Sequence, residues 1–160
     1  MNDTFTPQCA KSVDADLRAQ ANSLQRILVA DDEEVMRRLI AKLLAGCGYD
    51  VDSAEDGAIA WEALQTKRYD LLITDNSMPN LTGIALVKML RGRDAALPVV
   101  MVSGSMPTDD PNWHPSLGIS AFLLKPFGLG ALRETVENIL RAAVPAVAQC
   151  RMMEQARALL

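Results

Sequence analysis

Four short apolar runs, each ending in a polar or reactive side chain, constrain this chain more than any other feature. Ile27-Leu28-Val29-Ala30 runs into Asp31-Asp32, and Leu71-Leu72-Ile73-Thr74 runs into Asp75. Val99-Val100-Met101-Val102 ends at Ser103, and Ala121-Phe122-Leu123-Leu124 ends at Lys125-Pro126. Runs this short and this continuously apolar are buried strands rather than amphipathic helices. Strands are therefore expected over Arg26–Ala30, Asp70–Thr74, Pro98–Val102 and Ala121–Leu124, with a shorter alternating strand over Tyr49–Ser53.

Helical patterns fill the intervals. Glu34–Ala45 carries Val35, Leu39, Ile40, Leu43 and Leu44 on one stripe, and Gly46 and Gly48 stop it. Gly57–Lys67 turns Ile59, Ala60, Ala63 and Leu64 inward, with Trp61 near its edge. A third helix, capped by Thr82 or Asn80, holds Ile84, Leu86, Val87 and Leu90 and ends near Arg91-Gly92. The last, Leu129–Ala143, faces Leu132, Val136, Ile139 and Leu140 inward.

Strands alternating with helices through short turns give a parallel sheet with helices on both faces. Right-handed crossovers bring the carboxyl ends of all its strands to one edge, where ligands of such sheets bind. One interval breaks the pattern. Pro107, Pro111 and Pro115 interrupt the helix due between Ser103 and Phe122, and an interior proline costs a helix about 3 kcal/mol. Segment 106–116 is expected to be a loop with at most one helical turn, around Asn112–Leu117.

The 160 residues suffice for one domain and some tail. Residues 1–25 read as a polar tail, with a short helix possible over 12–24, residues 26–143 as the domain, and residues 144–160 as a helical extension striped by Val147, Cys150, Met153 and Leu160. A net charge of −4 gives no sign of a nucleic-acid partner. No stretch approaches the roughly 18 apolar residues of a membrane span, and Met1–Lys11 is too polar for a signal peptide. Cys9, Cys47 and Cys150 are few and far apart, which indicates neither a disulfide framework nor a zinc site. Cys47 reads as a small core hydrophobe. A cytoplasmic protein fits these features.

The strand ends carry the chemistry. Asp31, Asp32 and Asp75 at one sheet edge repel each other unless a cation lies among them. An all-oxygen set suits Mg2+, which binds through one or two carboxylates together with phosphate oxygens. Asp75 is the candidate nucleophile, since a carboxylate attacking phosphorus forms an acyl phosphate. Lys125 would add a positive charge and Ser103 a hydrogen bond to the transferring group. For any one of these residues a plain role competes: a turn or cap for the acids, a strand-end hydroxyl for Ser103, a surface amine for Lys125. His114, the single histidine, lies among prolines and reads as an exposed loop residue.

The combination resembles the receiver domain of bacterial two-component response regulators. The resemblance rests on Val29-Ala30-Asp31-Asp32-Glu33, on Ile73-Thr74-Asp75-Asn76-Ser77-Met78-Pro79-Asn80-Leu81-Thr82-Gly83, on Val102-Ser103-Gly104 and on Leu124-Lys125-Pro126-Phe127. It covers about Arg26 to Ala143. It implies a flavodoxin-like, doubly wound five-stranded parallel sheet of order 2-1-3-4-5, its fourth helix short or broken here.

It further implies that Asp75 accepts a phosphoryl group from a sensor histidine kinase or a histidine phosphotransfer protein. Asp32, Asp75 and the Ser77 backbone carbonyl would ligate Mg2+ directly, and Asp31 through water. Ser103 and Phe122 would form the switch pair, and the Lys125-Pro126 peptide would be cis. Phe122 lacks the hydroxyl that many relatives have, and the proline-broken segment stands where the family's fourth helix forms part of the output face.

The expected function is a phosphorylation-dependent signalling switch rather than an enzyme. Too few residues follow 143 for a DNA-binding or catalytic output domain, so the switch would act on an unknown downstream protein, with homodimerisation open. The alternatives are a phosphorylation-independent interaction module and a Mg2+-dependent phosphatase. Such phosphatases tend to carry a second acid two residues after the nucleophile, where this chain has Ser77.

Overall fold

The computed structural model describes residues 24–93, 96–105 and 114–143. In chain order they form β1 (Arg26–Ala30), α1 (Glu34–Gly46), β2 (Asp50–Ala54), α2 (Gly57–Thr66), β3 (Leu71–Asp75), α3 (Gly83–Gly92), β4 (Val99–Ser103), a 3-10 turn (Pro115–Leu117), β5 (Ala121–Leu124) and α4 (Leu129–Ala143). The five strands are parallel, in the order β2-β1-β3-β4-β5. This is the parallel sheet expected from the alternation of strand and helix, in the flavodoxin-like order that the resemblance implies.

Successive residues of the central strands enter opposite cores. Ile27, Val29, Leu71, Ile73, Val100 and Val102 pack with Ile40 and Leu44 of α1 and with Leu132, Val136 and Leu140 of α4. Leu28, Ala30, Leu72, Val99 and Met101 pack with Ala60 of α2 and with Ile84, Leu86, Val87 and Leu90 of α3. With helices on both faces, every residue of β3 and β4 is buried. Both strands are therefore apolar without alternation until they reach their carboxyl ends.

Several sequence expectations are displaced. Val35 and Leu39 of α1 and Ile59 of α2 are exposed. The inward face of α1 runs through Met36, Ile40, Leu43 and Leu44 instead. The apolar stripe is wider than the face that α1 buries, so periodicity alone does not choose its edge. Cys47 is exposed rather than in the core. It sits at the C-cap of α1, its N–H donating to the Leu43 and Leu44 carbonyls, where a helical projection no longer predicts its direction. Gly48 follows in the left-handed region at φ 92°, which ends the helix. Strands β2, β3 and β4 each begin one residue later than expected.

Thr82, not Asn80, caps α3, accepting from the Ala85 N–H at 3.3 Å. Of the turn expected around Asn112–Leu117, the described residues form a 3-10 turn at Pro115–Leu117. His114 is exposed and starts that turn, its Nδ1 accepting from the Ser116 N–H. Arg91 of α3 fastens the end of the turn and the strand entrance beside it, donating to the Leu117, Gly118 and Leu97 carbonyls at 2.7, 3.1 and 3.0 Å. The expected helix in 12–24, the core of segment 106–116 and the extension 144–160 lie outside the described residues. Among the described residues no helix is long and apolar enough to cross a membrane.

Candidate functional site

Parallel pairing carries the four reactive strand ends to one edge. Ala30 of β1 pairs with Thr74 of β3, which sets Asp31 beside Asp75. Asp75 in turn pairs with Val102 of β4, so Ser103 lies one residue beyond it, and Ser103 pairs with Leu124 of β5. Lys125 follows directly, its N–H donating to the Ser103 carbonyl at 2.8 Å, and the Lys125-Pro126 peptide is cis.

Asp31, Asp32 and Asp75 each offer a carboxylate oxygen within 4.8 Å of the others. Asp31 and Asp75 are buried, while Asp32 is exposed at the rim. The Lys125 ammonium lies 3.1 Å from Oδ2 of Asp31 and 3.0 Å from Oδ2 of Asp75. The second oxygen of Asp31 accepts from the Glu33 N–H at 2.8 Å, and that of Asp75 from the Ser77 N–H at 3.2 Å. The plain turn role of Asp31 and its role at the site thus coexist on different oxygens.

Burial pushes the Asp31 carboxyl above the ordinary range, against the hydrogen bonds from Glu33 and Lys125 and with the Asp75 charge adding to the rise. Burial works against the Lys125 ammonium too, but its hydrogen bonds to Asp75 and Asp31 prevail and hold its pKa above the usual lysine value. Three acids facing one ammonium leave an excess of negative charge. The donors are hard oxygens with no sulfur or nitrogen among them, which fits Mg2+ and not zinc.

The surrounding backbone is fitted closely. A Cβ on Gly83 would fall on the Asp75 carbonyl oxygen, so only glycine lets the start of α3 pass this strand end. Asn76 joins the same two elements, accepting from the Ile84 N–H with its side chain and from the Gly83 N–H with its carbonyl. The Ser103 hydroxyl is buried and accepts from the Ser105 N–H at 3.4 Å. Ser77 is exposed in the loop after Asp75. Phe122 is not at the charged edge: it pairs with Met101 and packs, partly buried, against the cluster that contains Met101 and Leu117.

Asp56 goes unmentioned in the sequence reading, and Asn80 serves not as the helix cap expected of it but as the partner of Asp56. Asp56 caps α2 through the Ile59 N–H at 2.8 Å, and its other oxygen accepts from Asn80 Nδ2 at 2.7 Å. An Asp-Gly pair at a helix start signals the cap; nothing local signals a partner in another loop.

This geometry agrees with what the chain resembles in known proteins. Residues 27–137 match the model of the response regulator receiver domain. The chemotaxis protein CheY of Pseudomonas aeruginosa is 35% identical over 117 residues, covering 71% of this chain and 94% of CheY. The sensor protein EvgS of Escherichia coli is also 35% identical over 117 residues, which are 73% of this chain but only 10% of EvgS. Among solved structures, the response regulator TrrA of Thermotoga maritima, in complex with Mg(2+)-BeF, superposes with a TM-score of 0.65 at 28% identity, covering 72% of this chain and 99% of TrrA. The chain belongs to the response regulator receiver domains of two-component signal transduction.

Proposed function

We propose that residues 26–143 form a phosphorylation-dependent switch in which Asp75 accepts a phosphoryl group from a phosphohistidine of a sensor histidine kinase or a histidine phosphotransfer protein. One observation carries this reading. Asp75 stands at the end of the central strand with Lys125 Nζ 3.0 Å from its carboxylate and two further acids beside it. A turn or cap aspartate has no use for that company.

An Asp75 oxygen attacks phosphorus, the P–N bond to the donor imidazole breaks, and its electron pair stays on the imidazole nitrogen, which takes up a proton. Asp75 then carries an acyl phosphate. Asp32, Asp75 and the Ser77 carbonyl are the proposed direct Mg2+ ligands, with Asp31 acting through water. Mg2+ supplies neutralisation of the oxygen charge on the transferring group, and the Mg(2+)-BeF held by TrrA supports the choice of ion. Lys125 offers a second positive charge to the same oxygens.

Ser103, one strand over, is the proposed donor of a hydroxyl hydrogen bond to a phosphoryl oxygen on Asp75. Phe122 of β5 is the proposed partner in the resulting shift. The two conformers need only differ in their stability when Asp75 is phosphorylated. A downstream protein reads the change. The near-complete coverage of CheY supports a stand-alone switch, and the likeness to part of EvgS supports a place in kinase signalling.

Intact-mass measurement with acetyl phosphate and Mg2+ tests the proposal. The wild type gains one labile phosphoryl group and Asp75→Asn gains none. Mg2+ binding with no adduct would instead make the chain a constitutive interaction module. Continuing release of phosphate from small esters would make it a phosphatase.

A further inference from the structure

The loop that carries the proposed Ser77 ligand is exposed at Ser77, Pro79 and Asn80, and only Met78 is buried within it. Packing holds the loop at Met78 and at Leu81, which lies against the same core, and leaves exposed Ser77 to other ties. Hydrogen bonds take that part. On the Asp75 side the loop is tied by Ser77 N–H to Asp75 Oδ1 at 3.2 Å, and by the Met78 and Gly83 N–H groups to the Asn76 carbonyl at 3.2 and 3.1 Å.

On the far side the tie comes from a different part of the chain. Asp56, at the turn between β2 and α2, divides its carboxylate. Oδ1 caps α2, and Oδ2 takes the Asn80 amide at 2.7 Å. Asn80 is held in the left-handed region at φ 64°, a conformation asparagine tolerates and most residues resist. Next to this bond the two backbones touch, since a Cβ on Gly57 would collide with the Leu81 carbonyl oxygen.

We infer that Asp56 and Asn80 are positioning residues for the metal loop: their hydrogen bond, made without contact to the ion, sets where the Ser77 carbonyl stands relative to Asp75. This rests on the proposed Mg2+-dependent function and assigns it two residues outside the acidic set. A helix cap alone needs one oxygen of Asp56 and makes no demand on Asn80. The second oxygen, aimed across 24 residues of sequence, is what joins the turn before α2 to the loop after the phosphoacceptor.

The test uses two conservative variants of the full chain and their combination. Asn80→Gly keeps the left-handed backbone and removes only the amide. Asp56→Ser keeps a good cap for α2 but is too short to reach Asn80. Mg2+ affinity is measured by calorimetric titration, beside the initial rate of phosphorylation by acetyl phosphate as a function of Mg2+ concentration.

Each single variant is expected to bind Mg2+ about three- to tenfold more weakly, less than the full worth of one charge-assisted hydrogen bond because only part of it is spent on preorganisation. The double variant should be no weaker than the worse single one. The rate at saturating Mg2+ should stay within about twofold of wild type, since the pair acts on the metal site and not on the nucleophile. Unchanged Mg2+ affinity in both variants, with a normal wild type, overturns the inference and leaves the function standing. So do losses that simply add in the double variant. A wild type that binds no Mg2+ overturns both.

Discussion

Lys125 and Asp75, fifty residues apart in sequence, meet at 3.0 Å across the carboxyl edge of the sheet. The parallel register that runs from β3 through β4 to β5 brings them together, and the same ammonium also holds Asp31 at 3.1 Å. In the metal-free protein Lys125 therefore stands where a second cation is needed, as internal counterion to two buried carboxylates.

Lys125→Met should accordingly destabilise the protein in EDTA. Removing one partner of a wholly buried ion pair costs about 3–5 kcal/mol, and the partial exposure of Lys125 reduces this to roughly 2 kcal/mol. Mg2+ should raise the Tm of the variant more than that of wild type, because the carboxylates then lack their resident cation. Thermal unfolding with and without Mg2+ checks both signs.

Asp31 gives a pH-dependent counterpart. Burial first of all raises its carboxyl pKa on folding, so the folded state resists its charge. Below the unfolded-state pKa the acid is protonated in both states and Asp31→Asn should match wild type. As pH rises through the interval up to the folded-state pKa, the unfolded chain ionises first and wild type loses stability. Above that interval, in EDTA, the variant should be the more stable. Saturating Mg2+ should favour wild type instead. Scanning calorimetry across acid to neutral pH makes the comparison; a wild type that gains stability over Asp31→Asn as pH rises in EDTA contradicts the burial argument.

Gly83 tests how closely the site is built. A Cβ there would enter the space of the Asp75 carbonyl oxygen. Gly83→Ala should cost about 1–3 kcal/mol, the range for overpacking a close contact. The neighbouring Gly92, whose Cβ would meet nothing within 4 Å, is the control. Because Gly92 ends α3, Gly92→Ala should be nearly neutral by denaturant unfolding. Gly83→Ala should also slow phosphorylation of Asp75, since the backbone of the nucleophile must give way.

Arg91 is the tether for the 3-10 turn at Pro115–Leu117. Its guanidinium serves three carbonyls, two of them at Leu117 and Gly118. Arg91→Ala should cost about 1.5–3 kcal/mol, as for hydrogen bonds from a charged donor. Arg91→Lys should recover little of it, because an ammonium cannot reproduce the planar fork. Amide hydrogen exchange at Leu117 and Gly118 should speed up in both variants.

The legible and illegible parts of this molecule divide on physical lines. Strands such as Leu71–Asp75 are buried on both faces, and that leaves an unbroken apolar run that nothing else produces at such length. The acids, Ser103 and Lys125 were legible because each directly follows such a run. The orientation of α1 was not, since Val35 and Leu39 are apolar yet exposed, and apolar identity does not reveal which edge of a wide stripe is covered. Cys47 misled for a related reason, because a helix cap changes direction where the periodicity ends. The Asp56–Asn80 bond links two loops, and the Arg91 tether a helix and a turn, that are distant in sequence. Single-residue chemistry marks Asp56 as a cap and Arg91 as a surface cation, and only the tertiary fold supplies their second partners.

The site of the acyl phosphate decides the account most directly. The chain is incubated with acetyl phosphate and Mg2+, reduced with borohydride, which converts an acyl phosphate to the alcohol, and digested for peptide mass mapping. Homoserine is expected at position 75 alone, and absent when Mg2+ is withheld. Reduction at Asp31 or Asp32, or an unmodified Asp75 in protein that binds Mg2+, would contradict it.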